Sequence, residues 1–125
     1  MIEESYVSFD TARMLKEAGF EANLKTRYVE EEKDEWAFWE SGTKRSDYNY
    51  FDDTIACPTQ ALAARWLREV HNIFIQLNPT FDGWLLDLFD LKKHQYILTN
   101  KNANADSYEQ ALEDGLQEAI KLIKK

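Results

Sequence analysis

Residues 58–73, PTQALAARWLREVHNI, constrain the fold more than any other stretch of the chain. Pro58 suits the first turn of a helix, where a missing N–H costs nothing. Cys57 and Thr59 are the candidate caps, with Gln60 placed to reach back to Cys57. Leu62, Ala63, Trp66, Leu67 and Val70 fall on one arc of the helical period, and Gln60, Ala61, Ala64, Arg65 and Arg68 fall on the other. The spacing predicts one amphipathic helix with Trp66 at the centre of its inner face. The rest of the chain then reads as sheet and flanking helices packed over that face.

The segments on either side follow from the same rules. Residues 8–20 read as a helix capped by Ser8, with Phe9, Ala12, Leu15 and Ala18 on one side. Gly19 is the left-handed residue that closes it, and Phe20 is set to touch Leu15 across the closure. Residues 24–40 read as a hairpin with strands at 24–29 and 36–40 and a solvated acidic turn, EEEKDE, at 30–35. Residues 41–57 read as a long connection, aromatic through Tyr48, Tyr50 and Phe51; connections of that length are often functional or mobile.

Beyond the central helix, Asn72 is expected to take the left-handed closing conformation. Three strands follow, at 73–78, 84–91 and 94–99, with NPTFDG turning between the first two. Trp84, Leu86 and Leu88 share one face of the second strand; Leu85, Asp87 and Phe89 share the other. Residues 100–106 are polar loop. A last helix starts near Asp106, with Glu109 as its capping-box partner. Tyr108, Leu112, Leu116, Ala119, Ile120 and Ile123 form its inner stripe, beside Gly115, which permits a close approach. Lys121, Lys124 and Lys125 suit its negative end. The order is α-β-β-α-β-β-β-α. It predicts an α+β fold, an antiparallel sheet with helices packed on one side, in a single domain spanning 1–125.

Composition narrows the function classes. The net charge is −8, and residues 1–57 carry 14 acids against 7 bases, whereas 58–125 carry 9 against 8. Such a surface repels phosphate backbones, so no direct nucleic-acid binding is expected. No apolar run approaches the length of a membrane span, and no basic start precedes an apolar run, so neither membrane nor secretory signal is expected. The single cysteine cannot make an internal disulfide; a cytoplasmic address is the expectation.

No constellation in the sequence carries chemistry, so no catalytic residue is assigned. Cys57 precedes a helix, but His71 lies about 21 Å further along it and cannot serve as its base. The histidines His71 and His94 are not spaced as a metal pair. DYNYFDD, residues 47–53, has the acidity of a calcium loop but holds Asp52 and Pro58 where that loop needs glycine and glutamate. No metal and no cofactor are expected. Asp87, between Leu85 and Phe89, is the single carboxylate of most interest, although a solvated sheet face explains it as well. The α-β-β-β-α order of the second half is that of a double-stranded-RNA-binding domain. Its last helix opens with Asp106, Glu109, Glu113 and Asp114, where that activity needs basic residues.

Three blocks, SFDTARMLKEAGF, PTQALAARWLREVHNI and YEQALEDGLQEAIKLI, resemble a family of small uncharacterised proteins from gut-bacterial genomes and their phages or prophages. The PTQ-x-L-x-x-x-WLRE-x-H block is the most specific of the three. The resemblance implies an intracellular, phage-related setting and brings no assigned activity. Residues 25–55 match it least.

The leading functional expectation is a non-enzymatic binding or protein-interaction module. Trp36, Trp39, Tyr48, Tyr50, Phe74 and Phe89 would line a pocket or a protein contact, with Asp87 beside them. The bland alternative is that these rings fill a second small core. Two other readings are an acidic inhibitor that mimics nucleic acid, with carboxylates between Glu30 and Asp53 in rows, and a small hydrolase or transferase with an unrecognised site. An exposed edge of the 24–40 hairpin could also pair with its copy in a homodimer.

Overall fold

The computed structural model describes residues 2–103 and 105–123. Over these described residues the protein is α+β, with three helices and two separate three-stranded antiparallel sheets. The chain divides into two compact units, Met1–Thr59 and Gln60–Lys125. The expected single sheet is therefore two, and the element order gains a 3-10 turn and a short strand inside the stretch read as a connection.

In the first unit, α1 (Phe9–Glu17) starts at Ser8, whose Oγ accepts from the Thr11 N–H at 3.2 Å. It closes as the sequence implies. Gly19 has φ 89°, the Phe20 N–H donates to the Leu15 carbonyl at 2.9 Å, and the Gly19 N–H donates to Lys16 at 3.1 Å. These two bonds satisfy carbonyls that the helix end leaves open. Leu15 and Phe20 are both fully buried.

The hairpin is longer and tighter than expected: β1 is Leu24–Glu32 and β2 is Glu35–Arg45. The acidic run is mostly strand, and only Lys33 and Asp34 turn. Asp34 takes φ 63°, a conformation that Asp tolerates, and its N–H donates to Glu30 Oε2 at 2.9 Å. That local bond replaces the Asn-Gly signal missing from the sequence. Strand β3 (Thr54–Ala56) pairs with the free side of β1, giving the order β2-β1-β3. Three residues are too few for alternation to betray a strand, yet Ile55 and Ala56 are buried there.

Cys57 does not cap a helix. Its N–H donates to the Thr26 carbonyl at 3.1 Å, its own carbonyl accepts from Thr26 Oγ1 at 2.6 Å, and its thiol, wholly buried, faces the Val7 carbonyl. Pro58 likewise precedes the helix instead of opening it; its carbonyl accepts from the Val7 N–H.

In the second unit, α2 (Gln60–His71) is followed by β4 (Ile73–Thr80), β5 (Gly83–Asp90), β6 (Gln95–Asn102) and α3 (Tyr108–Ile123), with the strands in meander order. Asn72 has φ 59° and ends α2 as expected. The inner arc of α2 is rotated from the one read in the sequence. Gln60, Ala63 and Leu67 are buried, Leu62 and Trp66 are half-buried, and Val70 is 57% exposed. The cause is Gln60. Its Nε2 donates to the Glu109 carbonyl at 2.9 Å and to Glu113 Oε1 at 3.0 Å, so a polar residue is satisfied inside and turns the helix towards α3. Trp66 instead lies edge-on to His71, with centroids 4.6 Å apart.

Helix α3 begins one residue later than expected. Ser107 Oγ accepts from the Gln110 N–H, and Gln110 Oε1 accepts from the Asp106 N–H. Asp106 and Glu109 are thus displaced as a pair by Ser107 and Gln110. Gly115 is buried and faces the sheet: a Cβ there would lie 2.8 Å from Ile75 Cγ2 and 3.1 Å from Leu86 Cδ1. Lys101 of β6 bonds Asp114 at 3.1 Å and Glu118 at 3.4 Å. Lys121 sits in the last turn; Lys124 and Lys125, assigned by sequence to the same end, lie outside the described residues.

Candidate functional site

Strand β2 bulges between Glu40 and Arg45. Two steps along β1, from Leu24 to Thr26, are matched by five along β2. An extra length of this kind re-aims side chains. Here Ser41 Oγ accepts a hydrogen bond from Arg27 Nη1 and lies 2.9 Å from the Tyr48 hydroxyl. Arg27 comes from the central strand, and its guanidinium lies over the Tyr48 ring with Cζ 5.1 Å from the centroid. Tyr48 is 5% exposed; it sits on the 3-10 turn Tyr48–Tyr50, and its carbonyl accepts from Thr54 Oγ1 at 2.6 Å.

The connection is therefore ordered, and two further ties hold it. Asn49 donates to the Phe20 carbonyl and accepts from the Ala56 N–H, and Lys16 Nζ donates to the Phe51 and Thr54 carbonyls. Beside these ties lies a cleft of about 330 Å3 lined by Arg27, Ser41, Arg45, Tyr48, Phe51, Asp53 and Thr54. Arg45 forks onto Asp47 at 2.9 and 2.7 Å. The Arg45 bonds hold the Asp47 carboxyl below its ordinary range, and Asp47 in turn raises Arg45.

The sequence-derived residues separate into groups. Trp39 is the register partner of Arg27 on β2 and is 48% exposed. Tyr48 lines the cleft. Tyr50, on the same 3-10 turn, is exposed, and hydrogen bonding to Glu21 raises its hydroxyl pKa. Trp36 is elsewhere. It packs against Phe9, centroids 5.2 Å apart, over a hollow of about 380 Å3 also lined by Arg13, Glu30, Asp34 and Ile55.

Phe74 and Phe89 belong to the second unit, where they are direct cross-strand partners, and Phe89 is also the partner of Tyr96 on β6. Phe89 and Tyr96 meet edge to face at 5.0 Å. The three rings form one row across β4, β5 and β6, and Phe74 and Tyr96 are 38% and 53% exposed. This row lies on the sheet face that alternates with the Ile75 and Leu86 face covered by α3. Tyr96 is not among the residues the sequence points to; β6 is irregular between Tyr96 and Leu98, so alternation along the chain does not place this ring.

Asp87 shares the face of the aromatic row but is not solvated. It is 7% exposed; Oδ2 accepts from Asn78 Nδ2 at 2.9 Å and Oδ1 from the Asn100 N–H at 2.7 Å. Asn100 has φ 54°, and the β5–β6 register slips at this point. One oxygen of Asp87 serves the β5–β6 bulge at Asn100 and the other the Asn78 amide of β4, which together account for a buried carboxylate without a catalytic task.

Among the described residues no group of three His, Cys, Asp or Glu side chains is placed to hold a metal ion, and no helix is long and apolar enough to cross a membrane. Compared with protein-family models, with curated proteins and with solved structures, the chain finds no match in any of the three.

Proposed function

We propose that this protein is a non-enzymatic binding module that engages a protein partner through exposed aromatic side chains. One observation carries the reading. Of the 17 aromatic residues, nine are more than a third exposed: Tyr6, Phe38, Trp39, Tyr50 and Phe51 in the first unit, and Phe74, Phe81, Tyr96 and Tyr108 in the second. Rings that only filled a core would not be left in water, and aromatic residues are what protein contacts select. Three of the six rings singled out by sequence, Trp39, Tyr50 and Phe74, are in this exposed set. The row Phe74–Phe89–Tyr96 is the most regular patch, and Asp87 beneath it is occupied with the fold.

A cytoplasmic, phage-related setting accompanies this proposal; it rests on the family resemblance of the three blocks and on the composition. The outer side of β2 gives a second copy a place to pair as well, and light scattering across a concentration series reads that directly.

The experiment is affinity capture from bacterial host lysate at low and high salt, comparing wild type with Phe74→Ser/Tyr96→Ser. A contact made by rings keeps its partner at high salt and loses it in the variant. Recovery of the same proteins by both chains, or loss of all of them at high salt, would count against the proposal.

A further inference from the structure

We propose that the cleft between β1, the β2 bulge and the 3-10 turn binds a small organic carboxylate, with Arg27 as the group that receives it. This site stands independently of the aromatic row.

Arg27 is half-buried on the central strand of its sheet. Its side-chain partners are two neutral hydroxyls, those of Ser41 and Tyr48 at 3.5 Å, together with the Tyr48 ring. The ion pairs of the described residues join Arg13 to Asp10, Arg45 to Asp47, Arg65 to Glu69, and Lys101 and Lys121 to α3 carboxylates; none includes Arg27. A partly desolvated guanidinium without a counter-ion is costly. Residues 1–57 hold 14 acids, yet no carboxylate there pairs with Arg27, and the cleft opens in front of it. A guanidinium offers five donors in a planar fork, the shape that matches a carboxylate.

Charge decides between carboxylate and phosphate. Arg45 is already neutralised by Asp47, and Asp53 also lines the cleft. Arg27 and Arg45 against Asp47 and Asp53 sum to zero before any ligand enters. A phosphomonoester would bring about −1.5 to −2 into that balance, a carboxylate about −1. Phe51, half exposed, supplies an apolar wall for an organic body, and about 330 Å3 is at the small end for ligand pockets. Asp53 leaves an acceptor for an ammonium or hydroxyl on the same molecule.

The test uses the full chain, 15N-labelled, titrated in parallel with benzoate, with neutral benzamide of the same shape, and with inorganic phosphate. The resonances followed are Arg27 Nε–H and the Trp39 indole. Benzoate is expected to shift both, benzamide to shift neither at equal concentration, and phosphate to bind more weakly than benzoate. Arg27→Gln should weaken benzoate at least about tenfold, the loss of one charge-assisted pair. Equal shifts from benzamide, tighter binding of phosphate, or no benzoate shift up to its solubility would each overturn the assignment. The wild-type comparison stands even if the variant folds poorly. The cleft is in the first unit and the aromatic row in the second, so partner capture can fail while benzoate binds, and the reverse.

Discussion

Gly115→Ala tests the packing of the second unit with a change of sign. Glycine in a helix interior costs about 0.5–1 kcal/mol relative to alanine, so propensity alone favours the substitution. The added methyl, however, would sit 2.8 Å from Ile75 Cγ2 and 3.1 Å from Leu86 Cδ1. Leu86 presents the end of a side chain that can rotate. Ile75 presents a methyl on a β-branched carbon, which is stiff about χ1. Overpacking of this kind costs about 1–3 kcal/mol, so Gly115→Ala should destabilise by about 1 kcal/mol net.

Ile75→Ala removes the obstructing methyl and is itself destabilising, by about 2 kcal/mol for a half-buried side chain. In that background the penalty disappears and the propensity gain remains, so Gly115→Ala should stabilise by about 0.5–1 kcal/mol. The coupling between the two sites is then about 1.5–2 kcal/mol, within the range for residues in contact. Urea unfolding followed by circular dichroism reads these differences, each about 0.5 M in midpoint. If Gly115→Ala moves stability by the same amount and sign in both backgrounds, the close approach of α3 to β4 described above is wrong.

Asp87→Ala should cost about 2–4 kcal/mol, because it strands the Asn100 N–H and the Asn78 amide, whereas Asp87→Asn should cost less, since one oxygen still accepts; thermal unfolding separates them. Ser8→Ala removes the α1 cap and should cost about 1 kcal/mol, measured by chemical denaturation. Burial alone would lower the Lys101 pKa, but Asp114 and Glu118 outweigh it and raise the value above that of the unfolded chain. The stability Lys101 contributes is therefore complete below its unfolded pKa, about 10.4, and is lost as pH rises through the folded value. Lys101→Met should consequently flatten the alkaline limb of a stability-against-pH curve.

Local rules with a short reach were readable in the chain. The Ser8 cap, the Gly19 closure, the Asn72 stop and the opposite faces of Leu86 and Asp87 each depend on residues within a turn or a strand. What escaped depended on partners distant in sequence. Gln60 looked like a surface residue until α3 supplied Glu109 and Glu113. The three-residue strand Thr54–Ala56 exists because β1 had a free edge. Asp87 looked solvated because nothing local announces the Asn100 bulge. The candidate site divided the same way. Aromatic content flagged Tyr48 and the 41–57 stretch, but Arg27, on β1, joined them only through the β2 bulge. Tyr96 joined Phe74 and Phe89 only through register.

The enclosed sulfur of Cys57 equips the molecule with a gauge of its own. Alkylating reagents reach that atom only when its surroundings open, so the reaction rate in native buffer measures the free energy of opening around Thr26 and Val7. Residues 60–125 hold no cysteine. Thiol modification therefore follows the N-terminal half alone, and ligands of the arginine cleft can be ranked by how far they slow it.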